Sequence, residues 1–442
     1  MSANVLAALT ARLAGPRPTI AVVGLGYVGL PLCVEFAASG ALVVGLDVNE
    51  SLCAALAAGH SHVGDVSDAA LAEALAAGFL PTADATRLQS ADAIVICVPT
   101  PLRKTKDPDI SYIVAAGRAV AENARAGQLI VLESTTYPGT TEEILVPMLE
   151  AKGLRPGVEV AVAFSPERVD PGNLRFGIRN TPKVIGGVTP TCTTAAAALY
   201  GRACDTLHVV SSPATAETVK LLENTFRMVN IALVNEFALI CRELGVNVWE
   251  VIEAAATKPF GFMPFKPGPG LGGHCIPVDP HYLAWKLRAH NFTARFVELA
   301  DAINGRMPEH VVDVVADLLN EARLPLNGSR VLALGVAYKA GVADMRESPA
   351  LDVLSRLRAR HAVVAYHDPY VPELTLDSGG LRNEALTAAL LEGTDVAVIL
   401  TDHPDFDWDF VLRHAPRIVD ARNATAAARQ RAPELAGRVR TI

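Results

Sequence analysis

One of the seven cysteines in this 442-residue chain has a setting unlike the rest. Cys275 lies in FKPGPGLGGHCIPVDPHY, residues 265–282, where four glycines and four prolines surround it. Cys33, Cys53, Cys97, Cys204 and Cys241 sit among Ala, Val and Leu, as small buried hydrophobes do, and Cys192 falls in a loop or at a helix start. A thiol in a Gly/Pro loop beside polar groups is placed as a nucleophile is placed. Asp279 follows it by four residues. Gly268, Gly270, Gly272 and Gly273 offer backbone N–H groups without side-chain obstruction, as an anion-binding loop requires, and Lys266 adds positive charge at the edge. His274 either activates the thiol or points away. With Cys275 and His281 it matches no common zinc spacing, so no metal is expected.

A second set of polar groups lies in ATAETVKLLENTFRMVNIALVNEFALICRELG, residues 214–245, which is apolar at helical spacing and has no proline. As a helix it spans about 45 Å, enough to connect domains or to form a subunit interface. Lys220, Asn224 and Arg227 share one face of it. A solvated stripe is the plain alternative. Set among Leu221, Leu222, Phe226 and Ile231, however, a lysine drawn partly out of water serves as a proton shuttle or oxyanion partner.

The third set is near the start. Gly24-Leu-Gly26-Tyr27-Val28-Gly29 follows an apolar strand and opens a helix, and Asp47 ends the next strand, 23 residues after Gly24. Glycines there allow a tight turn, close approach of a pyrophosphate and close helix packing. The aspartate suits ribose hydroxyls and repels a 2′-phosphate, so NAD is expected over NADP. A turn built only for packing would have the same glycines. Further strands end in VPTP (98–101, with Thr100), ESTTYPGTT (133–141) and FSPERVDPGN (164–173). Glu133 and Thr135 are candidates to face a nicotinamide or a water, and Glu167 stands between a proline and Arg168. Each loop alone reads as helix capping; together they point to a site.

NAD beside a nucleophilic thiol suggests oxidation of a primary alcohol to an acid. Two hydrides leave, the thiolate traps the intermediate aldehyde as a thiohemiacetal, and water cleaves the resulting thioester.

These groups need a scaffold. Strand-like runs alternating with Ala-rich helical stretches (68–77, 111–126) fill the first 200 residues or so, as in a parallel sheet with helices on both faces. Asn247 and Glu250 form a capping-box pattern after the long helix. SRVLALGVAY, HAVVAYHDP, TDVAVILTDH and RIVDAR then begin a second series near Ser329. The expected fold is α/β: two Rossmann-like doubly wound sheets joined by a long helix and a small helical domain, divided at 1–210, 211–320 and 321–442. A net charge of −8 without Lys/Arg-rich runs gives no nucleic-acid footprint. No CxxC pair, signal-peptide layout or membrane-length apolar run is present, so a cytoplasmic chain without membrane partners is expected.

Over nearly its whole length the chain resembles the UDP-glucose/GDP-mannose dehydrogenases, through GLGYVGLPL, ESTTYPGTTEE, SPERVDPGN, KLLENTFRMVNIALVNEFA, PGPGLGGHCIPVDPHYLAWK and GVAYKAGVADMRESP. Within that family, ATKPFGFMPFKPGPGLGGHCIPVDP and SPERVDPGN are most similar to the UDP-N-acetyl-D-glucosamine 6-dehydrogenases. The resemblance implies an NAD-dependent four-electron oxidation of a UDP-sugar, with Cys275 as nucleophile. It implies that Lys220 and Asn224 stabilise oxyanions, that Asp279 and Thr135 position water, and that Glu167 assists thioester hydrolysis. Substrate would be held by Glu167, Arg168, Lys220, Asn224, Arg227, Lys266, the Gly268–Gly273 loop and Lys339. Tyr27, Val28, Thr100, Thr135 and Arg346 would join the glycines and Asp47 at the cofactor, Arg346 alternatively at a domain interface. The last domain would bind UDP, and the central helix would pair subunits as a homodimer or larger homo-oligomer. The chain departs from the glucose branch at Arg168-Val-Asp170-Pro-Gly and upstream of the Gly loop, where Lys258-Pro-Phe-Gly-Phe lacks the arginine often found in that region. The same chemistry on UDP-N-acetylmannosamine, UDP-N-acetylgalactosamine or UDP-glucose, a single-hydride hydroxyacid dehydrogenase, and a silent NAD-binding scaffold are the alternatives.

Overall fold

A computed structural model describes residues 2–103, 106–170, 172–173, 175–273 and 275–442, with side chains from Val5 onward. It divides into two compact units, Met1–Glu223 with His281–Phe292, and Asn224–Pro280 with Thr293–Ile442. Two helices, Pro213–Leu244 and Asp279–Arg288, contribute residues to both.

The first unit is built on β1 (Thr19–Val23), β2 (Leu42–Leu46), β3 (Phe79–Thr82), β4 (Ala93–Ile96), β5 (Leu129–Leu132), β6 (Ala161–Phe164), β7 (Lys183–Gly187) and β8 (Leu207–Val210). They form one sheet in the order β3-β2-β1-β4-β5-β6-β7-β8. The first six follow the Rossmann order and are parallel; β7 turns back antiparallel to β6 and β8 runs parallel to β7. The reversal at β7 was not expected from the sequence. Helices cover both faces, which is why AIVI, LIVL and AVAF can be apolar at every position. Alternate residues enter different cores: Ile20 and Val22 join the one beneath Gly29–Ala38 and Pro190–Tyr200, while Ala21 and Val23 join the one beneath Ser111–Asn123. Helix ends follow local chemistry. Ser67 accepts the N–H of Ala70 at 3.2 Å to start Asp68–Ala77, and Gly78, at φ 109°, stops it.

The second unit carries β9 (Arg330–Leu334), β10 (Val363–His367), β11 (Glu373–Leu376), β12 (Gly379–Arg382), β13 (Val396–Ile399), β14 (Ile418–Asp420) and β15 (Val439–Thr441). Its sheet is β10-β9-β13-β14-β15, all parallel, the other common doubly wound order, and β11–β12 is a separate hairpin. RIVDAR supplies β14, and β15 follows it at the edge of the sheet. The long helix is Pro213–Leu244, 32 residues, and Asn247 caps Val248–Ala256 by accepting the Trp249 N–H at 3.0 Å. Among the described residues no helix is long and apolar enough to cross a membrane.

The amino-terminal helix Ser2–Ala14 shows what its apolar residues are for. Leu6, Leu9 and Leu13 are buried in the first core, and Arg12 ties the helix down by donating to Asp92 at 2.9 Å and to the Gly127 carbonyl at 2.7 Å. Leu9→Ala should lower the unfolding free energy by about 2–5 kcal/mol. Leu80→Ala, at a side chain 43% exposed, should change it by less than about 1 kcal/mol. Urea unfolding followed by circular dichroism compares the two; equal losses would refute this account of the helix.

Candidate active site

In the first unit, β1, β4, β5 and β6 lie side by side and parallel, so their carboxyl-end loops line one edge of the sheet. The turn after β1 has Gly24 at φ 95°, where a Cβ would stand 2.6 Å from the Cys97 carbonyl oxygen. A Cβ on Gly29 would collide with the Gly24 carbonyl. Beside Gly26 there is open space, the room that a pyrophosphate needs. Tyr27 is 45% exposed and Val28 is half-buried. Asp47 is half-buried and accepts the Leu25 N–H at 2.9 Å and the Asn49 N–H at 3.0 Å. The residues of this turn therefore fit NAD. Thr100 and Thr135 are half-buried in the loops after β4 and β5.

Glu133 does not face the open edge as expected. Its side chain is fully buried, accepting from Lys183 Nζ on one oxygen and from Tyr200 Oη, at 2.5 Å, on the other. Burial pushes its carboxyl up to about 7 against the pull of Lys183. Glu167, 15% exposed, accepts the N–H groups of Arg168 and Val169 on Oε1 at 2.8 and 2.6 Å. Burial opposes its ionisation, but Lys183, the Val169 N–H and Lys220 outweigh that and hold it below the usual carboxylate range. Lys220, buried, donates to the Glu167 carbonyl at 2.6 Å. Arg168 is turned onto Glu223 at 2.5 Å and the Pro182 carbonyl at 2.6 Å, so it secures this loop to the long helix.

In the second unit Cys275 is partly exposed, and the other six cysteines are buried. Its carbonyl accepts the Asp279 N–H at 2.8 Å, a tight turn into Asp279–Arg288. Asp279 is 2% exposed, and Asn224 Nδ2 donates to its Oδ2 at 2.5 Å. Asn224 stands one turn beyond Lys220 on the long helix; Arg227, three residues further, is exposed, as is Lys266. His274 lies outside the described residues.

The glycines before Cys275 have a role the sequence did not suggest. The Gly268 N–H donates to Asn235 at 2.9 Å and the Gly273 N–H to the Arg346 carbonyl at 3.0 Å, so neither is turned toward an anion. A Cβ on Gly272 would stand 2.7 Å from Tyr338, one on Gly273 2.8 Å from the Tyr338 ring, and one on Gly268 2.6 Å from Arg422. Close packing requires these glycines. Arg346 spends its guanidinium on Asp344, and Lys339 is half-buried in the loop after β9. Sequence reasoning missed Arg422, which follows β14 and donates to the Leu400 carbonyl at 2.8 Å with its guanidinium against Gly268. Its place at the carboxyl end of a sheet strand was the available signal. It also missed the buried chain in which Asn235 donates to Asn304 at 2.8 Å and Asn304 to the Met228 carbonyl at 3.3 Å. Among the described residues no group of three or more His, Cys, Asp or Glu is arranged to hold a metal.

A Rossmann sheet whose turn fits NAD, with a loop thiol elsewhere in the chain, defines the class: an NAD-dependent oxidoreductase. The chain belongs to the UDP-glucose/GDP-mannose dehydrogenase family, whose NAD binding domain matches residues 18–204, central domain 214–306 and UDP binding domain 332–427. It is thus an NAD-dependent nucleotide-sugar dehydrogenase. The UDP-N-acetyl-D-mannosamine dehydrogenase of Pyrococcus horikoshii is 40% identical over 91% of this chain and 95% of its own length. The NDP-N-acetyl-D-galactosaminuronic acid dehydrogenase of Ralstonia nicotianae is 37% identical over 93% and 97%. The solved structure of the Pyrococcus horikoshii UDP-D-ManNAc dehydrogenase superposes with a TM-score of 0.84 at 38% identity, covering 92% of this chain and 96% of that one.

Gly26→Ala separates ligand contact from folding, because its Cβ meets nothing within 4 Å. It should fold as the parent does and bind NAD at least tenfold more weakly in a fluorescence titration. An unchanged Kd would show that the pyrophosphate does not lie over Gly26.

Proposed function

We propose that this protein oxidises C6 of a UDP-N-acetylhexosamine to the carboxylate in two NAD-dependent steps through a thioester on Cys275. The sequence pointed first to the glucosamine epimer. The names of the relatives above make N-acetylmannosamine the first substrate to test, with N-acetylgalactosamine and N-acetylglucosamine beside it. The observation that carries the reading is the turn from Cys275 to Asp279: a partly exposed thiol four residues ahead of a buried carboxylate that Asn224 anchors.

Bound at the Gly24–Gly29 turn, NAD supplies a hydride acceptor at each oxidation. In the first step the C6 hydroxyl gives up its proton and its carbon loses hydride, leaving an aldehyde. The Cys275 thiolate adds to the aldehyde carbon, and Lys220 and Asn224 stabilise the oxygen of the tetrahedral adduct. Loss of the second hydride converts this thiohemiacetal to a thioester. Water, oriented by Thr135 and Asp279 and relieved of a proton by Glu167, attacks the carbonyl; the C–S bond breaks and the thiolate returns. Residues 1–210 would hold NAD, 211–320 the thiol and helix, and 321–442 the UDP, with Lys339 and Arg422 as its cationic contacts. Leu222, Phe226, Leu233, Phe237, Ile240 and Leu244, exposed along the long helix at near-heptad spacing, would pair two subunits.

Two NADH should form per UDP-sugar consumed. Cys275→Ser should lose that turnover, with an aldehyde-level or covalent species left behind, while Cys241→Ser keeps it. One NADH per sugar, or equal effects of the two substitutions, would refute the thiol route. Phe237→Glu with Ile240→Glu should give a monomer by light scattering where the parent is a dimer or larger.

A further inference from the structure

Lys183 is the first residue of β7, yet its side chain is only 6% exposed. A lysine at a strand end can ordinarily carry its ammonium to solvent along its flexible stem. Here the ammonium points inward, where three side chains surround it. It donates to Glu133, lies 3.7 Å from Glu167 Oε2, and sits 5.1 Å from the centroid of the Tyr200 ring. Tyr200 donates to the second oxygen of Glu133, so both Glu133 oxygens are taken. A buried ion pair stabilises a fold little against a well-packed apolar replacement, so burying three ionisable groups together calls for another reason.

The reason lies in which of the three reaches outward. Glu133 and Lys183 are sealed; Glu167 is the one with exposed surface. Its Oε1 is pinned by two backbone N–H groups of its own loop, and its Oε2 is the oxygen nearer Lys183. Resting on the function proposed above, we propose that Lys183, locked in place by Glu133 and Tyr200, is the positioning residue that keeps Glu167 an oriented carboxylate for taking the proton of the hydrolytic water. The charges around Glu167 are few. Lys183 projects from β7, Glu133 from the end of β5, and Lys220 from the long helix; the thiols of Cys97 and Cys204 sense the cluster from two further elements, and Arg168 is held by Glu223. Two carboxylates share one ammonium, so a proton arriving on acidification goes to one of them. Burial directs it to Glu133, the more enclosed, and leaves Glu167 charged.

The test uses the full-length enzyme. In Lys183→Met/Glu133→Gln the buried pair is replaced by neutral groups of similar size, so the fold survives removal of the cation. Infrared difference titration against Glu167→Gln locates the Glu167 carboxyl in the free protein, and the acid limb of kcat locates it during turnover. Both should move to higher pH by about 1–3 units in the double variant, and Lys183→Arg should restore both toward the parent. A merely structural role would lower kcat or stability and leave the limb in place. An infrared midpoint that does not move overturns the inference. An infrared shift without a kcat shift removes Glu167 from the reaction, so that the proposed hydrolysis role falls while the charge coupling stands.

Discussion

The hydrogen bond from Asn224 to Asp279 is the constraint around which the thiol side of the chain is organised. Asp279 is nearly sealed from water, and a buried carboxylate without a donor would be costly. Asn224 meets that need from the middle of the long helix. Because the Asp279 N–H also closes the turn on the Cys275 carbonyl, the residue that Asn224 holds links the start of a helix to the loop that carries the thiol. The body of the same short helix is held separately. Trp285 packs against Tyr137 with ring centroids 5.2 Å apart, and Lys286 bonds Glu143 at 2.6 Å. The thiol's own loop contains no regular structure, and the turn on Asp279 is what ties it to the start of that helix.

Close packing does comparable work on the other side of that loop. Tyr338, Pro349 and Arg422 approach Gly268, Gly270, Gly272 and Gly273 so closely that any side chain on those residues would push them away. The backbone conformation matters too: Gly270 has φ 139° and Gly273 φ 84°, which L side chains rarely adopt. Behind the loop, Asn235 and Asn304 carry a hydrogen-bond chain from the Gly268 N–H to the Met228 carbonyl. The loop is therefore pre-organised by contacts at each of these four glycines.

What the sequence made legible was local. The Ala-rich stretch 68–77 is a helix with those bounds, Asn247 starts Val248–Ala256, and an unbroken helical pattern runs through Pro213–Leu244, so each could be read from neighbours in the chain. The NAD turn was legible for the same reason, since strand, glycines, helix and aspartate lie within thirty or so residues. What escaped was long-range. The antiparallel reversal at β7 depends on pairing with β6, and nothing in KVIGG states its direction. The Lys183 cluster joins residues 50 and 67 positions apart, so Glu133 read as a loop acid facing outward. The packing role of the glycines was hidden because Tyr338, Pro349 and Arg422 lie far along the chain.

The two sheets also share a bond with opposite outcomes. In each, the aspartate ending the second strand reaches back to the turn after the first: Asp47 to the Leu25 N–H, Asp368 to those of Val336 and Ala337. Asp47 accepts one N–H on each oxygen, about half of what a carboxylate can accept. Asp368 accepts Tyr370 N–H as well, and His403 completes the set. The Gly341 N–H donates to His403 Nδ1, so the ring proton is on Nε2 and is donated to Asp368 at 3.0 Å. With three donors on Oδ2, one on Oδ1 and no surface exposed, Asp368 is enclosed by its own fold and does not present a carboxylate to a sugar. A molecule that doubles one architecture risks loading the same coenzyme twice, and here the second aspartate is spent on its own fold.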